Sequence, residues 1–452
     1  MRIIYKYTIN LALVLVMLSV ETTIGQEASV CGTTNYDLSF VRRSVNYKIR
    51  ESVDNTGNLY ISYQSQLPSV LTFVNKDGTV TVCTSDDKNT YIYEYSTLLK
   101  ETKTLSFKNL LGTLGAFTKD DEGNYYFFYA ENTSSRSANN MAVIKYNNKG
   151  KKMKQYKLKS LAQNSFNGVK KPFRGGTCRL EISGSMLAVY FAREMFNGHQ
   201  ASYGFILHKD KFNRLDNGQV KNNKYIIDDV NVMPYVSHSF NQFILPINNG
   251  FIFVDHGDAH PRAFCFSRYV NGSRTKRQDA FTFPGATGEN KTTAQMGGVA
   301  KTSTGYIFVG TYGMMNDINS RNLFVLTFQE NVNPLYLTQY TTNDGHAGHP
   351  KIVATGANRF LVLWEKFSFS TQHANIIITT PTEYLSTHML LINEKGEALS
   401  DIVELEGVRL NMNDVIRFNP QNGKVYWAIN DGEKVIKIFA LDVANMIQTG
   451  SK

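Results

Sequence analysis

Seven times along this chain a turn closing on glycine, or on a Gly-Ala-Asn corner, leads into four or five apolar and aromatic residues. The copies begin at Asp54-Asn-Thr-Gly57, Asp121-Glu-Gly123, Ser183-Gly184, Asn249-Gly250, Thr304-Gly305, Gly356-Ala-Asn and Gln421-Asn-Gly423. Each precedes a run such as Tyr125-Tyr-Phe-Phe-Tyr129 or Arg359-Phe-Leu-Val-Leu-Trp364. A spacing of roughly fifty to sixty-six residues is the mark of a radial β-repeat, in which one supersecondary unit recurs and stacks on its neighbours.

After each turn and its strand come a polar loop, a second strand, a tight turn and a third. Met141 to Tyr146, Tyr203 to Leu207, Asn322 to Leu326, Met389 to Ile392 and Val435 to Leu441 are the later strands. Runs rich in Val, Ile, Phe and Tyr, with Asn-Gly or Lys-Gly between them, are hairpin grammar. The runs are apolar nearly throughout, which a sheet buried on both faces requires. Four strands per repeat predict an all-β fold, a seven-bladed β-propeller with four-stranded antiparallel blades around a central channel. Ring closure uses Tyr36 to Phe40 as a strand of the last blade, and six or eight blades are the other counts the repeat permits. The layout resembles the seven-bladed propeller superfamily over essentially the whole mature chain, through period and turn chemistry. That resemblance implies architecture and no particular activity.

Residues 1–25 read as a secretory signal: Arg2 and Lys6 give a positive start, Leu11 to Val20 an apolar stretch, Thr23 and Gly25 small residues for cleavage. Residues 26–452 are then one propeller domain, secreted and without a membrane span once the signal is removed. Four cysteines in an exported chain permit two disulfides, and Cys31–Cys83 with Cys178–Cys265 is the expected pairing. Asn132, Asn271 and Asn290 head glycosylation sequons in stretches that read as loops. The formal charge of +10 suits acidic glycans, anionic surfaces or nucleic acid. Nucleic acid is set aside, because no element interleaves basic and aromatic residues and the chain is exported. Arg274-Thr-Lys-Arg277 matches a dibasic processing site or an exposed hairpin tip.

Strand direction locates a site. In each blade the innermost strand starts, and the next strand ends, at the same mouth of the channel. The starts hold Arg179, His238, Asn241, His346 and His349; the ends hold Arg193, Asp255, His256, Tyr312, Trp364 and Glu365, with His199, Asp258, His260 and Arg262 in the loops that follow. His208 falls beside a third strand and reads as a surface residue. Charged groups directly after Phe251-Ile-Phe-Val254 are costly to bury unless paired or bound. A self-satisfied network, Asp255 or Asp258 on Arg262, explains them as well as a ligand does. Arg179 and Arg193 suit a bidentate clamp on an acidic group, and Trp364 beside Glu365 suits a sugar ring.

The functional expectation is binding of a glycan or small acidic ligand at this mouth, with protein partners on the rim as a further option. The alternatives are a lyase-like enzyme on acidic polysaccharide, with His238 or His256 as base and Tyr312 as acid, and an extracellular scaffold. No motif demands a cofactor. A divalent cation, calcium or zinc, is what alternating Asp and His admit.

Overall fold

The computed structural model describes residues 22–31, 34–50, 58–61, 67–131, 140–159, 169–195, 198–215, 220–221, 224–225, 236–257, 262–275, 277–283, 294–314, 317–330, 334–341, 345–368, 378–444 and 446. Among them the regular structure is entirely β, with no helix, as the turn-and-strand grammar requires. Apart from the short hairpin of Val220–Lys221 with Lys224–Tyr225, the described strands form seven successive antiparallel sets, whose main strands pair in sequence order. They begin at Val70–Val74, Thr113–Lys119, Cys178–Ser183, Phe243–Ile247, Gln295–Lys301, His346–Gly356 and Arg417–Asn419. We refer to them as the first to seventh sheets. The fifth and sixth are joined by a single parallel bridge, Arg321 to His346, into one nine-stranded sheet.

The segment expected to close the fold does join the last sheet. Thr34–Ser44 pairs antiparallel with Val435–Asp442, from Asp37 opposite Asp442 to Ser44 opposite Val435. Thr22–Cys31 adds outside it, so the backbone of this strand begins four residues inside the expected leader.

Packing follows from the two-residue period of a strand, which sends alternate side chains to opposite faces. Tyr125, Phe127 and Tyr129 of the second sheet pack with Cys83, Ile92 and Phe107 of the first. Tyr126 and Phe128 pack with Val189, Phe191 and Phe205 of the third. The same exchange recurs through Tyr190 with Phe251 and Phe253, then Phe264 and Phe266 with Phe308 and Phe324. It continues through Val309 and Val325 with Phe360 and Val362, then Leu361 and Leu363 with Trp427 and Phe439. Finally Val41, Tyr426 and Ile438 of the seventh sheet pack with Val80, Val82 and Tyr93 of the first. The last sheet therefore lies on the first.

One repeat is out of phase with its expectation. The turn that joins the first two strands of the first sheet is Asn75 to Gly78, with Asn75 Nδ2 donating to Thr79 O and Gly78 at φ +83°. It is not Asp54 to Gly57, which lies outside the described residues apart from the strand after it. That strand, Asn58–Ile61, pairs with Ile378–Ile392 of the sixth sheet. Both turns have the same Asn/Asp-to-Gly chemistry, so local sequence has nothing to separate them.

Trp427 is buried, stacked on Phe439 at 4.9 Å between ring centroids, and its Nε1 donates to Arg409 O at 2.9 Å. Trp427→Ala should lower the unfolding free energy by about 3–5 kcal/mol in denaturant titration. A loss below about 1 kcal/mol would contradict a core shared between the sixth and seventh sheets.

Candidate functional site

Several of the polar residues expected at the mouth tie one sheet to another. Asp255, at the end of Gly250–Gly257, is buried and accepts hydrogen bonds from Tyr190 Oη at 2.8 Å, from Ser239 Oγ and from the His256 amide at 2.7 Å. Burial raises its carboxyl from the usual range to about 7, against the opposing pull of those donors. Gln242 Oε1 accepts from the Thr177 amide at 2.7 Å, and Arg179 Nε donates to Gln242 O at 3.0 Å. Asn241 Oδ1 accepts from the Met296 amide at 3.2 Å. These bonds link the third, fourth and fifth sheets along their first strands.

Period-two alternation separates pairs that are adjacent in sequence. Asp255 faces Tyr190, whereas His256 faces Phe240, Phe264 and Phe283, at centroid distances of 6.0, 5.2 and 5.9 Å. Burial, and then Arg262, hold the His256 imidazole well below its usual pKa and so neutral. Trp364 and Glu365 part in the same way, so the indole and the carboxylate do not form one surface. Trp364 belongs to the core with the fifth sheet. Glu365 accepts from His349 Nδ1 at 2.6 Å, Arg409 Nε at 2.9 Å and the Leu410 amide at 2.7 Å. Burial opposes its ionisation, but His349 and Arg409 prevail and hold it at about 2.

The chain from Leu410 to Val415 crosses between sheets that are distant in sequence. The Leu410 amide reaches Glu365, and Asn411 Nδ2 donates to Val70 O and Ala428 O, both at 2.9 Å. Met412 O accepts from Lys351 Nζ at 2.8 Å, and Asn413 O from Arg179 at 2.5 Å. Asp414 Oδ2 accepts from the Thr72 amide at 2.8 Å, and Val415 packs against the core of the fourth and fifth sheets. Arg417 then bridges to Glu181 of the third sheet at 2.8 Å. The crossing itself was not foreseen; its signal in the sequence is the polar residues Asn411, Asn413 and Asp414 around Met412, where a strand would be apolar.

The remaining expected residues fall into local groups. Arg193 is buried over the Tyr203 ring at 5.1 Å. His199 and His238 face each other, ring nitrogens 3.5 Å apart. Tyr312 packs on Phe281, Phe283 and Phe324. Arg262 is buried, and Asp255 has the partners given above in place of the expected Arg262 pairing. Asp258 and His260 lie outside the described residues, as do Asn132 and Asn290. Asn271 is exposed at a turn, and Arg274 and Arg277 follow in the same hairpin, Arg277 bonded to Asp279 at 2.8 Å. The expected disulfides are corrected: Cys83, Cys178 and Cys265 are free buried thiols. Cys178 sits in the core of the second and third sheets, while Cys265 donates to Asp255 O within the fourth, so that pair lies in different layers. No group of three or more metal-ligating side chains occurs among the described residues.

A cleft of about 270 Å³ opens between the fifth and sixth sheets, lined by Tyr340, Thr341, His346, Ala347, Trp364, Lys366, His388 and Ile402. Trp364 and Lys366 share one face of Arg359–Phe367, and His388 stands beside the indole, ring centroids 5.2 Å apart. Ser386 Oγ and His388 Nε2 are 2.8 Å apart, and the Tyr340 hydroxyl donates to Gly396 O. Burial, and then the neighbouring Arg321, depress His346 to about 4, so it is neutral near pH 7. Of these residues the sequence pointed to His346 and Trp364. It missed Tyr340, Lys366 and His388, although Lys366 pairs with Ala347 at the start of the first strand and His388 pairs with Trp364.

No protein-family model matches the chain, and no curated protein matches it. Solved structures share its outline at low identity. Prolyl oligopeptidase B from Galerina marginata is 12% identical with a TM-score of 0.42, over 92% of this chain and 55% of that one. Synechocystis apocarotenoid oxygenase is 9% identical with a TM-score of 0.38, over 76% of this chain and 72% of that one. The β-propeller domain of the Trilobed protease from Pyrococcus furiosus is 7% identical with a TM-score of 0.35, over 79% of this chain and 97% of that one. The chain spans about half the length of the prolyl oligopeptidase it matches. Likenesses this distant assign no role to any residue here.

A carboxyl moved from 3.8 to about 7 by burial contributes stability that is complete below about pH 4 and is lost as pH rises through about 7, on the order of 4 kcal/mol in all. Unfolding free energies of the native chain should therefore fall between about pH 4 and 7 relative to Asp255→Asn. Parallel pH profiles for the two would show that Asp255 does not titrate in this way.

Proposed function

We propose that this chain is an exported seven-bladed β-propeller around a central channel, and that it binds a glycan or small acidic ligand in the cleft between the fifth and sixth sheets. Seven antiparallel sets packed in succession, the seventh on the first, support the blade count. Export rests on the leader-like residues at the start of the sequence.

The observation that carries the ligand class is the chemistry of the cleft lining. Lys366 supplies a cation, Thr341, Tyr340 and the two imidazoles supply hydrogen-bonding groups, and Trp364 an aromatic surface. None of the described lining residues is acidic. A carboxylate or sulfate on a sugar would meet a charge-assisted donor at Lys366 while the ring lies near the indole. On this reading the ligand lies at the same end of the strands as the expected mouth.

The test is calorimetric titration of the full chain with uronate oligosaccharides and their neutral counterparts. The acidic series should bind more tightly, and Lys366→Gln should weaken it by about tenfold to a hundredfold, the worth of one charge-assisted hydrogen bond. Equal affinity for neutral and acidic sugars, or an unchanged Lys366→Gln, would overturn the acidic-ligand reading.

A further inference from the structure

We propose that His199 and His238 form a binding site for a divalent transition-metal ion of the zinc class, separate from the cleft and carried by the third and fourth sheets. His199 lies in the turn before Gln200–His208, where its carbonyl accepts from the Met195 amide at 2.8 Å. His238 lies on the segment Val236–His238, which runs along the start of that same strand. Ala201 and Ser237 form an antiparallel bridge, the Ser202 amide donates to Val236 O at 3.0 Å, and the His238 amide donates to Gln200 O at 2.8 Å. Three backbone contacts thus hold two imidazoles side by side at an edge, His199 exposed and His238 half-buried.

The distance between the ring nitrogens decides between two uses of the pair. His199 Nδ1 and His238 Nε2 are 3.5 Å apart, with the rings at 85°. That is long for a direct hydrogen bond, whose usual range ends near about 3.2 Å. Two imidazoles on one tetrahedral zinc ion, each at about 2.0–2.1 Å, have nitrogens about 3.3–3.4 Å apart. The pair is therefore set at nearly the chelating separation.

The far nitrogen of His238 has the support that metal-binding imidazoles use. Ser237 Oγ lies 2.9 Å from His238 Nδ1. With the proton on Nδ1 donated to that hydroxyl, Nε2 presents its lone pair toward His199, which is how an outer hydrogen bond orients a ligating ring. Nitrogen donors select zinc, copper or nickel over calcium, which takes oxygen. His238 has φ +48°, a conformation that Asn tolerates with little strain. His238→Asn is therefore a variant that keeps the backbone while removing the ligand.

The experiment is titration of the metal-stripped full chain with zinc by calorimetry, and with cobalt(II) by its visible absorption. One saturable equivalent is expected in the native chain, weakened at least about tenfold in His199→Gln and in His238→Asn, and unchanged in His208→Gln. Thermal melts that coincide for all four proteins exclude misfolding as the cause. Binding that survives both substitutions, or falls equally in His208→Gln, or is missing from the native chain at millimolar zinc, would overturn the site.

Discussion

Among the described residues the second strand of each of the seven sheets is buried on both faces, and the rest of the structure follows from that. In Tyr125–Ala130 all six residues are buried, three toward the first sheet and three toward the third. A single meander of this composition has no face to offer water, so it gains stability only when a neighbour covers each side. The demand passes along the chain and ends where the seventh sheet meets the first through Val41, Tyr426 and Ile438. The pairing of Thr34–Ser44 with Val435–Asp442 joins a strand from near the start of the sequence to one from near its end, so the backbone as well as the cores ties early strands to late ones.

Covering both faces leaves the edge of each first strand to be satisfied. Buried amides and carbonyls there need partners, and the polar residues at strand starts supply them in one recurring way. A side chain on one sheet bonds to the backbone of the next: Gln242 to the Thr177 amide, Asn241 to the Met296 amide, Gln295 to the His349 amide at 3.3 Å, and Asp414 to the Thr72 amide. Arg50 does the same with Leu114 O at 2.7 Å and Pro68 O at 2.9 Å. Polar residues accumulate at this end for architectural reasons, and only some of them are left for a ligand.

The parts legible in the sequence are those governed by local chemistry. Turn grammar located the join between first and second strands in six sheets, because Asp/Asn-to-Gly turns favour the same left-handed corner wherever they occur. It failed for the first sheet, where Asp54–Gly57 and Asn75–Gly78 present equivalent signals and only long-range pairing with Ile378–Ile392 distinguishes them. Facing was harder to read. Asp255 with His256, and Trp364 with Glu365, look like joint sites along the chain, yet strand alternation points each pair in opposite directions. The parity was available, but the buried run on both sides gives no polar face to anchor it. His388 was missed because it sits within a third strand, Ile378–Ile392, opposite Trp364, whereas strand direction drew attention only to first and second strands.

The cleft shows how a binding surface arises without any departure from the fold. The face of the sixth sheet that meets the fifth carries Phe360 and Val362 on one strand and Ile392 and Leu390 on the next, all in the shared core. Two residues further along the same faces come Trp364, then Lys366, and opposite them His388. The period is unbroken; only the residue chemistry changes, from apolar to aromatic and then to hydrogen-bonding and charged. At that level the two sheets are joined by the Arg321–His346 backbone bridge and by the Arg321 side chain, whose Nε donates to Ala347 O at 3.0 Å. A core that has stopped needing to be a core, yet is held in place by its buried continuation, provides rigid walls with polar groups already oriented.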